Sequence, residues 1–195
     1  MPRLQADADR AMWVAVTDSL GFRGRRHRKA AIGMLLSQAM GQGATPGRGS
    51  RLSAWAMSQA VPFLMRKAEG RVLAWVWKPD PELLVVVAQV QAATPELRIA
   101  RASMPIEYHD TEEFRGTYLG VGERFVMPLP PAGRPPFATY TWDLGTHLVT
   151  VTAVCGDRER FGTVIGAVDE LARGIRIIED LTVGESATVL RIDPA

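Results

Sequence analysis

Phe137-Ala-Thr-Tyr-Thr-Trp-Asp-Leu-Gly145 alternates, the chain turns at Gly145-Thr146, and His147-Leu-Val-Thr-Val-Thr-Ala-Val-Cys155 alternates again. Period-two patterning marks two strands joined as a hairpin. After the break at Gly156-Asp157, Phe161, Val164, Ile165, Val168, Leu171, Ala172 and Ile175 recur at helical spacing on one face. This β-β-α unit decides the architecture, a sheet with a helix laid on it. By itself it carries no chemistry.

Upstream, the pattern predicts a helical N-terminal region over 1–69. Asp7 and Asp9 precede Ala11-Met-Trp-Val-Ala-Val16, which reads either as a first helical turn or as a short strand, and Gly21 and Gly24 break it. Residues 27–40 place Ile32, Leu35, Leu36, Ala39 and Met40 on one side of a helix. Four glycines and a proline make 41–50 a flexible loop. Leu52, Trp55, Ala56, Gln59, Ala60 and Phe63 then fall at helical spacing, and Pro62 kinks or ends that helix.

From Gly70 the pattern changes to strands. Arg71–Trp77 alternates, Lys78-Pro-Asp-Pro81 turns the chain, and Glu82–Gln91 is nearly continuous apolar, as in a strand covered on both faces. Thr94-Pro95-Glu96 reads as a helix start, with Thr as cap and Pro at the first helical position. Residues 106–136 read as loop-rich, with a turn at Leu119-Gly-Val-Gly122 and a strand at Glu123–Met127. Ala187–Ile192 reads as a closing edge strand. The expected fold is therefore α+β, a mainly antiparallel sheet with helices packed on it and a helical N-terminal part. It forms one domain over 1–195, with the sheet and C-terminal helix in 70–195.

Apolar residues make up 47% and charged residues 23% of the chain, within the range of a globular protein that buries a core. Cys155 is the single cysteine, which excludes an intramolecular disulfide and argues against a cysteine-based zinc site. His27, His109 and His147 lack metal-ligand spacing, so neither metal nor cofactor is expected. The net charge is +2, yet residues 1–100 hold 14 Lys/Arg against 7 Asp/Glu and residues 101–195 hold 9 against 14. Such asymmetry fits an anionic partner for one face or complementary surfaces meeting inside the fold. Arginine outnumbers lysine 20 to 3, which points to a GC-rich bacterial source. No run approaches the ~20 apolar residues of a membrane span, and a cytoplasmic protein is expected.

The hairpin Thr139-Tyr-Thr-Trp142 and Leu148-Val-Thr-Val-Thr152, followed by a long helix ending Asp169-Glu-Leu-Ala-Arg-Gly-Ile-Arg-Ile177, resembles the closing section of Mog1/PsbP-like proteins. The resemblance implies an antiparallel sheet with helices on both faces, in a fold used mostly for binding. It carries over no functional residue, and the helical opening departs from that family's strand-first start.

Several constellations bear on function. Arg23, Arg25, Arg26, Arg28 and Lys29 form a basic cluster that suits phosphate contacts or a solvated turn. Placed at a helix start, those cations oppose the macrodipole. Leu119-Gly-Val-Gly-Glu-Arg-Phe125 has glycines but no third glycine and no following helix, so it reads as a hairpin turn rather than a phosphate cradle. Glu107, His109, Asp110, Glu112 and Glu113 read as a solvated acidic loop in preference to a cation site. His147 and Cys155 share one strand face but stand roughly 26 Å apart along a continuous strand, too far for a nucleophile and its base. Trp75 and Trp77 share a strand face and can line a partner-binding groove if no helix covers it. The leading expectation is a non-catalytic domain that binds a protein through Trp75 and Trp77 or through loop 41–50. The alternatives are a nucleic-acid or polyanion binder using 23–29, and an enzyme with a cryptic pocket between the N-terminal part and the sheet.

Overall fold

Leu84–Ala92 and His147–Cys155 pair antiparallel along their whole length, from Leu84 opposite Cys155 to Ala92 opposite His147, and the rest of the sheet is built outward from them. The structure is a computed structural model that describes residues 2–16, 70–102, 111–130 and 134–179. Its strands are β1 (Pro2–Ala6), β2 (Trp13–Ala15), β3 (Val72–Trp77), β4 (Leu84–Ala92), β5 (Thr111–Gly116), β6 (Gly120–Met127), β7 (Phe137–Asp143), β8 (His147–Cys155) and β9 (Ile175–Glu179). Its helices are α1 (Pro95–Ala102) and α2 (Arg158–Arg173). The main sheet has seven strands in the order β2-β3-β4-β8-β7-β6-β5, and β1 pairs with β9 in a separate ribbon. Every pairing is antiparallel.

The closing unit matches its pattern. Asp143 accepts from the Gly145 N–H at 2.9 Å, and Gly145 takes a φ of +82° that a side chain would disfavour, which tightens the β7–β8 turn. Asp157 caps α2 by accepting from the N–H groups of Glu159 and Arg160 at 2.9 and 3.3 Å. Glu159 in the first turn and Arg173 in the last complement the helix dipole. Phe161, Val164, Val168, Leu171 and Ala172 are buried under the helix. α1 starts where expected, its Leu97 N–H donating to the Thr94 hydroxyl at 3.2 Å.

Two faces follow from the strand alternation and the registers. One presents Trp13, Trp75, Leu84, Val86, Ala88, Tyr140, Trp142, Val149, Val151 and Cys155 to α2, and Leu4 of β1 and Ile175 of β9 join that core. Both α2 and the β1–β9 ribbon therefore lie on this side. The opposite face carries Val14, Ala74, Val76, Val85 and Val87 over β2–β4, then Leu148, Thr150, Thr152 and Val154 on β8, Phe137, Thr139, Thr141 and Asp143 on β7, and Glu123 and Phe125 on β6.

The α+β expectation with a helical N-terminus is overturned. Residues 2–6 and 13–15 are strands, and the architecture is mostly antiparallel sheet with two helices among the described residues. Helix and strand were both open for 11–16. The strand prevails because Trp13, Val14 and Ala15 register against Trp77, Val76 and Trp75 of β3. β1 is held by a partner at the other end of the chain, from Pro2 opposite Glu179 to Ala6 opposite Ile175. The same pairing shortens the C-terminal helix, which stops at Arg173 instead of running to Ile177. The expected helices over 27–40 and 52–63, loop 41–50 and the strand over 187–192 lie outside the described residues. Within 106–136, β5 is an additional strand in the stretch that read as loop.

Candidate functional site

The condition placed on the two tryptophans is not met. Trp75 is 4% exposed and packs in the core that α2 covers. Trp77 is half-buried against the same core, its ring edge-on to Trp13 at 5.2 Å. That strand face is a helix-packing face.

The remaining sequence candidates are dispersed. The basic cluster Arg23, Arg25, Arg26, Arg28 and Lys29 lies outside the described residues, as do Glu107, His109 and Asp110. Glu112 and Glu113 stand on the edge strand β5, paired with Arg124 at 2.8 Å and Arg115 at 3.7 Å. Charged side chains on an edge strand discourage further pairing. Cys155 is fully buried and donates its thiol to the Asp157 carbonyl at 3.1 Å; burial pushes its pKa up, the opposite of an activated nucleophile. β8 is continuous from His147 to Cys155, so this pair remains separated by the strand's length.

Glycines 116 and 122 make room for an indole. A Cβ on Gly122 would lie 2.5 Å from both the Thr141 carbonyl oxygen and Trp142 Cδ1, and one on Gly116 would lie 3.2 Å from Trp142 Nε1. Trp142 Nε1 donates to the Gly120 carbonyl at 3.3 Å. The glycine pattern thus serves core packing in the β5–β6 hairpin, whose turn falls at 117–119.

One polar cluster escaped the sequence reading. Asp169 of α2 accepts from Arg124 Nε at 3.0 Å and from Arg124 Nη2 at 3.4 Å. It also accepts from the Tyr140 hydroxyl at 2.7 Å. Arg124 and Asp169 side chains are 19% and 18% exposed, and Arg124 Nη1 also reaches Glu112 at 2.8 Å. Burial, reinforced by the hydrogen bond to Asp169 and its charge, raises the Tyr140 pKa well above its usual value. The network ties β5, β6 and β7 to the middle of α2. Its groups satisfy one another, and its chemistry is positional.

A shallow cleft of about 290 Å³ opens between the β1–β2 connection and α2, lined by Asp7, Asp9, Met12, Trp13, Glu170 and Leu171. Its acids are engaged. Asp7 accepts from Tyr118 at 2.8 Å and from Arg176 at 3.2 Å, Asp9 caps Ala11 at 2.7 Å, and Glu170 pairs with Arg173. No cluster of His, Cys, Asp and Glu among the described residues has the arrangement of a metal site.

The sheet face opposite α2 carries a half-buried strip over β6–β8, beside the buried Leu148, Val154 and Thr141. Thr139 sits directly opposite Thr152, and Thr141 opposite Thr150. Phe125 and Phe137 lie beside them with ring centroids 5.8 Å apart. Phe125, Phe137, Thr139, Thr150 and Thr152 are all half-buried, and Val121 at the end of this strip is 53% exposed. α2 and the β1–β9 ribbon pack on the other face, while Arg98 of α1 reaches the end of this one through Asp143 at 3.1 Å. A period-two reading of β7 and β8 contains this face in its polar-looking positions. Threonine at those positions reads as ordinary strand surface, so spacing alone does not single the face out.

No family model and no curated protein matches this chain. No described helix is long and apolar enough to cross a membrane.

Proposed function

We propose that this chain is a partner-binding domain that engages a protein through the sheet face opposite α2. The observation that carries the reading is the unequal cover of the two faces. α2 and the β1–β9 ribbon both pack on one, while Phe125, Phe137, Thr139, Thr150 and Thr152 on the other are only half-buried. The strip mixes aromatic, β-branched and hydroxyl groups and carries charge at its margins, Asp143 paired with Arg98 at the end of β7 and Glu123 and Glu113 at the β6–β5 side. That composition suits a protein surface, since interface cores are depleted of charge but need hydrogen-bonding groups. The resemblance of the closing unit to Mog1/PsbP-like proteins, a fold used mostly for binding, supports the same reading.

The test is capture from a lysate of the source organism by the tagged chain, with and without nuclease, alongside Thr139→Lys and Thr152→Lys. A defined protein that survives nuclease and falls at least about tenfold in both variants, a loss of about 1.4 kcal/mol, supports the reading. Capture that ignores both substitutions refutes it. Recovery that requires nucleic acid transfers the function to the cluster 23–29.

A further inference from the structure

β5 is one edge of the main sheet, and among the described residues no strand lies beyond it. An edge strand offers its outward N–H and C=O groups to any strand that fits, and its charges restrict which strand that is. Phe114 is turned toward α2, its ring 4.8 Å from Tyr140 and beneath the Arg173 guanidinium at 5.2 Å. Glu112 lies on the same side and reaches Arg124 at 2.8 Å. Glu113 and Arg115 therefore stand together on the other side, 70% and 74% exposed and meeting each other only at 3.7 Å. A pair that exposed contributes little. Across the β5–β6 ladder Glu113 is directly opposite Glu123, and like charges in that relation repel. A cation on the outer side of Glu113 would offset the repulsion.

The strand's own sequence supplies that cation. A strand that continues a sheet across a twofold axis normal to it opposes residues of the same face, so β5 can pair with its own copy only in registers centred on a residue. Registers centred on Thr111 or Gly116 overlap too little of the strand. Centred on Glu112, Glu113 or Arg115, the strand sets that residue against its own copy, like charge against like. Centred on Phe114, it sets Glu113 opposite Arg115 of the second copy, and Arg115 opposite Glu113 of the second copy. Glu112 then faces Gly116, which has no side chain to disturb the contact with Arg124, and the two Phe114 side chains adjoin. Alternate residues carry the hydrogen bonds of an antiparallel pair. In this register each alternate set opposes itself, so the ladder closes whichever set faces outward. We propose that β5 pairs antiparallel with β5 of a second copy, centred on Phe114, joining two seven-stranded sheets into one. The occupant is a copy of this chain because Glu113-Phe114-Arg115 is complementary to itself when reversed, whereas a strand that left both charges unanswered would be disfavoured. The pairing stands apart from the proposed partner surface, which lies over β6–β8.

The test is sedimentation equilibrium of the full chain beside Glu113→Arg, Arg115→Glu and the double variant that exchanges the two charges. The parent is expected to dimerise with a dissociation constant below about 1 mM. Each single substitution turns two attractive pairs into two repulsive ones and should weaken the dimer at least about tenfold. The exchange rebuilds both pairs with their signs reversed and should return the constant to within about threefold of the parent. That recovery also separates a broken interface from a misfolded variant, because a second substitution does not rescue a chain that merely fails to fold. A parent that stays monomeric over this range overturns the inference and leaves the edge to a strand of another protein. A dimer that ignores the single substitutions, or that the exchange fails to restore, overturns it as well. These readouts involve neither partner capture nor the Thr139 and Thr152 variants, so the two proposals fail separately.

Discussion

Asp169→Asn tests whether the polar network under α2 holds the helix to the sheet. Asp169 accepts two short hydrogen bonds, from Arg124 Nε at 3.0 Å and Tyr140 Oη at 2.7 Å, and a longer one from Arg124 Nη2 at 3.4 Å. A hydrogen bond to a charged group contributes about 1.5–3 kcal/mol. Asparagine keeps one acceptor oxygen but presents N–H donors to a guanidinium that also only donates. Breaking a buried ion pair costs about 3–5 kcal/mol. Here the pair is 18–19% exposed and Arg124 retains Glu112, both of which soften the loss. The expected cost is about 2–3 kcal/mol, read as a lower urea midpoint at unchanged m-value. Tyr140→Phe removes only the hydroxyl contact and should cost about 1 kcal/mol. Because both substitutions act on one carboxylate, the double variant should fall short of the sum by at least ~0.5 kcal/mol. If Asp169→Asn lies within about 0.5 kcal/mol of the parent, as a surface substitution would, the network is not a clamp and the helix is held by its apolar face alone.

Gly122→Ala and Gly162→Ala should move stability in opposite directions. The first drives a methyl against the Thr141 backbone and the fully buried Trp142, costing about 1–3 kcal/mol, while the second meets open space on α2 and should gain up to about 1 kcal/mol, both by urea unfolding. Tyr140 gives a pH dependence with a definite sign. Its pKa is raised in the folded state, so its contribution is complete below the unfolded value of about 10 and declines as pH rises above it, because the unfolded chain releases the proton first. Tyr140→Phe should remove up to about 1.4 kcal/mol per pH unit from that decline, measured as unfolding free energy between pH 9 and 11; identical slopes would contradict the burial of the phenol. Cys155, buried and with a raised pKa, should react with a maleimide at pH 8 at least about tenfold more slowly than a cysteine-containing peptide, until urea unfolds the chain.

What was legible in the sequence is what neighbours decide. β7, β8 and α2 stand where alternation and helical spacing place them, and Thr94 and Asp157 cap their helices through residues two or three positions away. β1 was illegible because its partner β9 is at the other end of the described chain, and no local pattern carries that pairing. β5 was read as a solvated loop because Glu112 and Glu113 dominate it. On an edge strand those charges are at home, and Phe114, 5% exposed, is the single large apolar anchor. Trp75 and Trp77 were correctly placed on one face of one strand. Which face α2 would take depends on the register of the whole sheet, and it took theirs. The Arg124–Tyr140–Asp169 network draws on three separate elements and leaves no trace in spacing.

The composition of the sheet's second face bears on the proposed partner surface. Along β7 and β8 the side toward α2 holds Ala138, Tyr140, Trp142, Val149, Val151 and Ala153, as a core requires. A second face meant only for water would carry lysine, glutamate and arginine. This one is instead mixed. Valines fill β2–β4, and Leu148 and Val154 on β8 are buried like Val76 and Val85; Thr139, Thr150, Thr152, Phe125 and Phe137 are half-buried; and Glu123 and Glu113 appear at the β6–β5 margin, where both are exposed. Desolvating a charge is costly, while a threonine hydroxyl can exchange water for a partner's hydrogen bond at little net cost. The half-buried threonines and phenylalanines are therefore the part of this face suited to reversible cover. The proposed interface therefore centres on the Thr139–Thr152 pair, directly opposed in the β7–β8 register, where a lysine should weaken partner capture most.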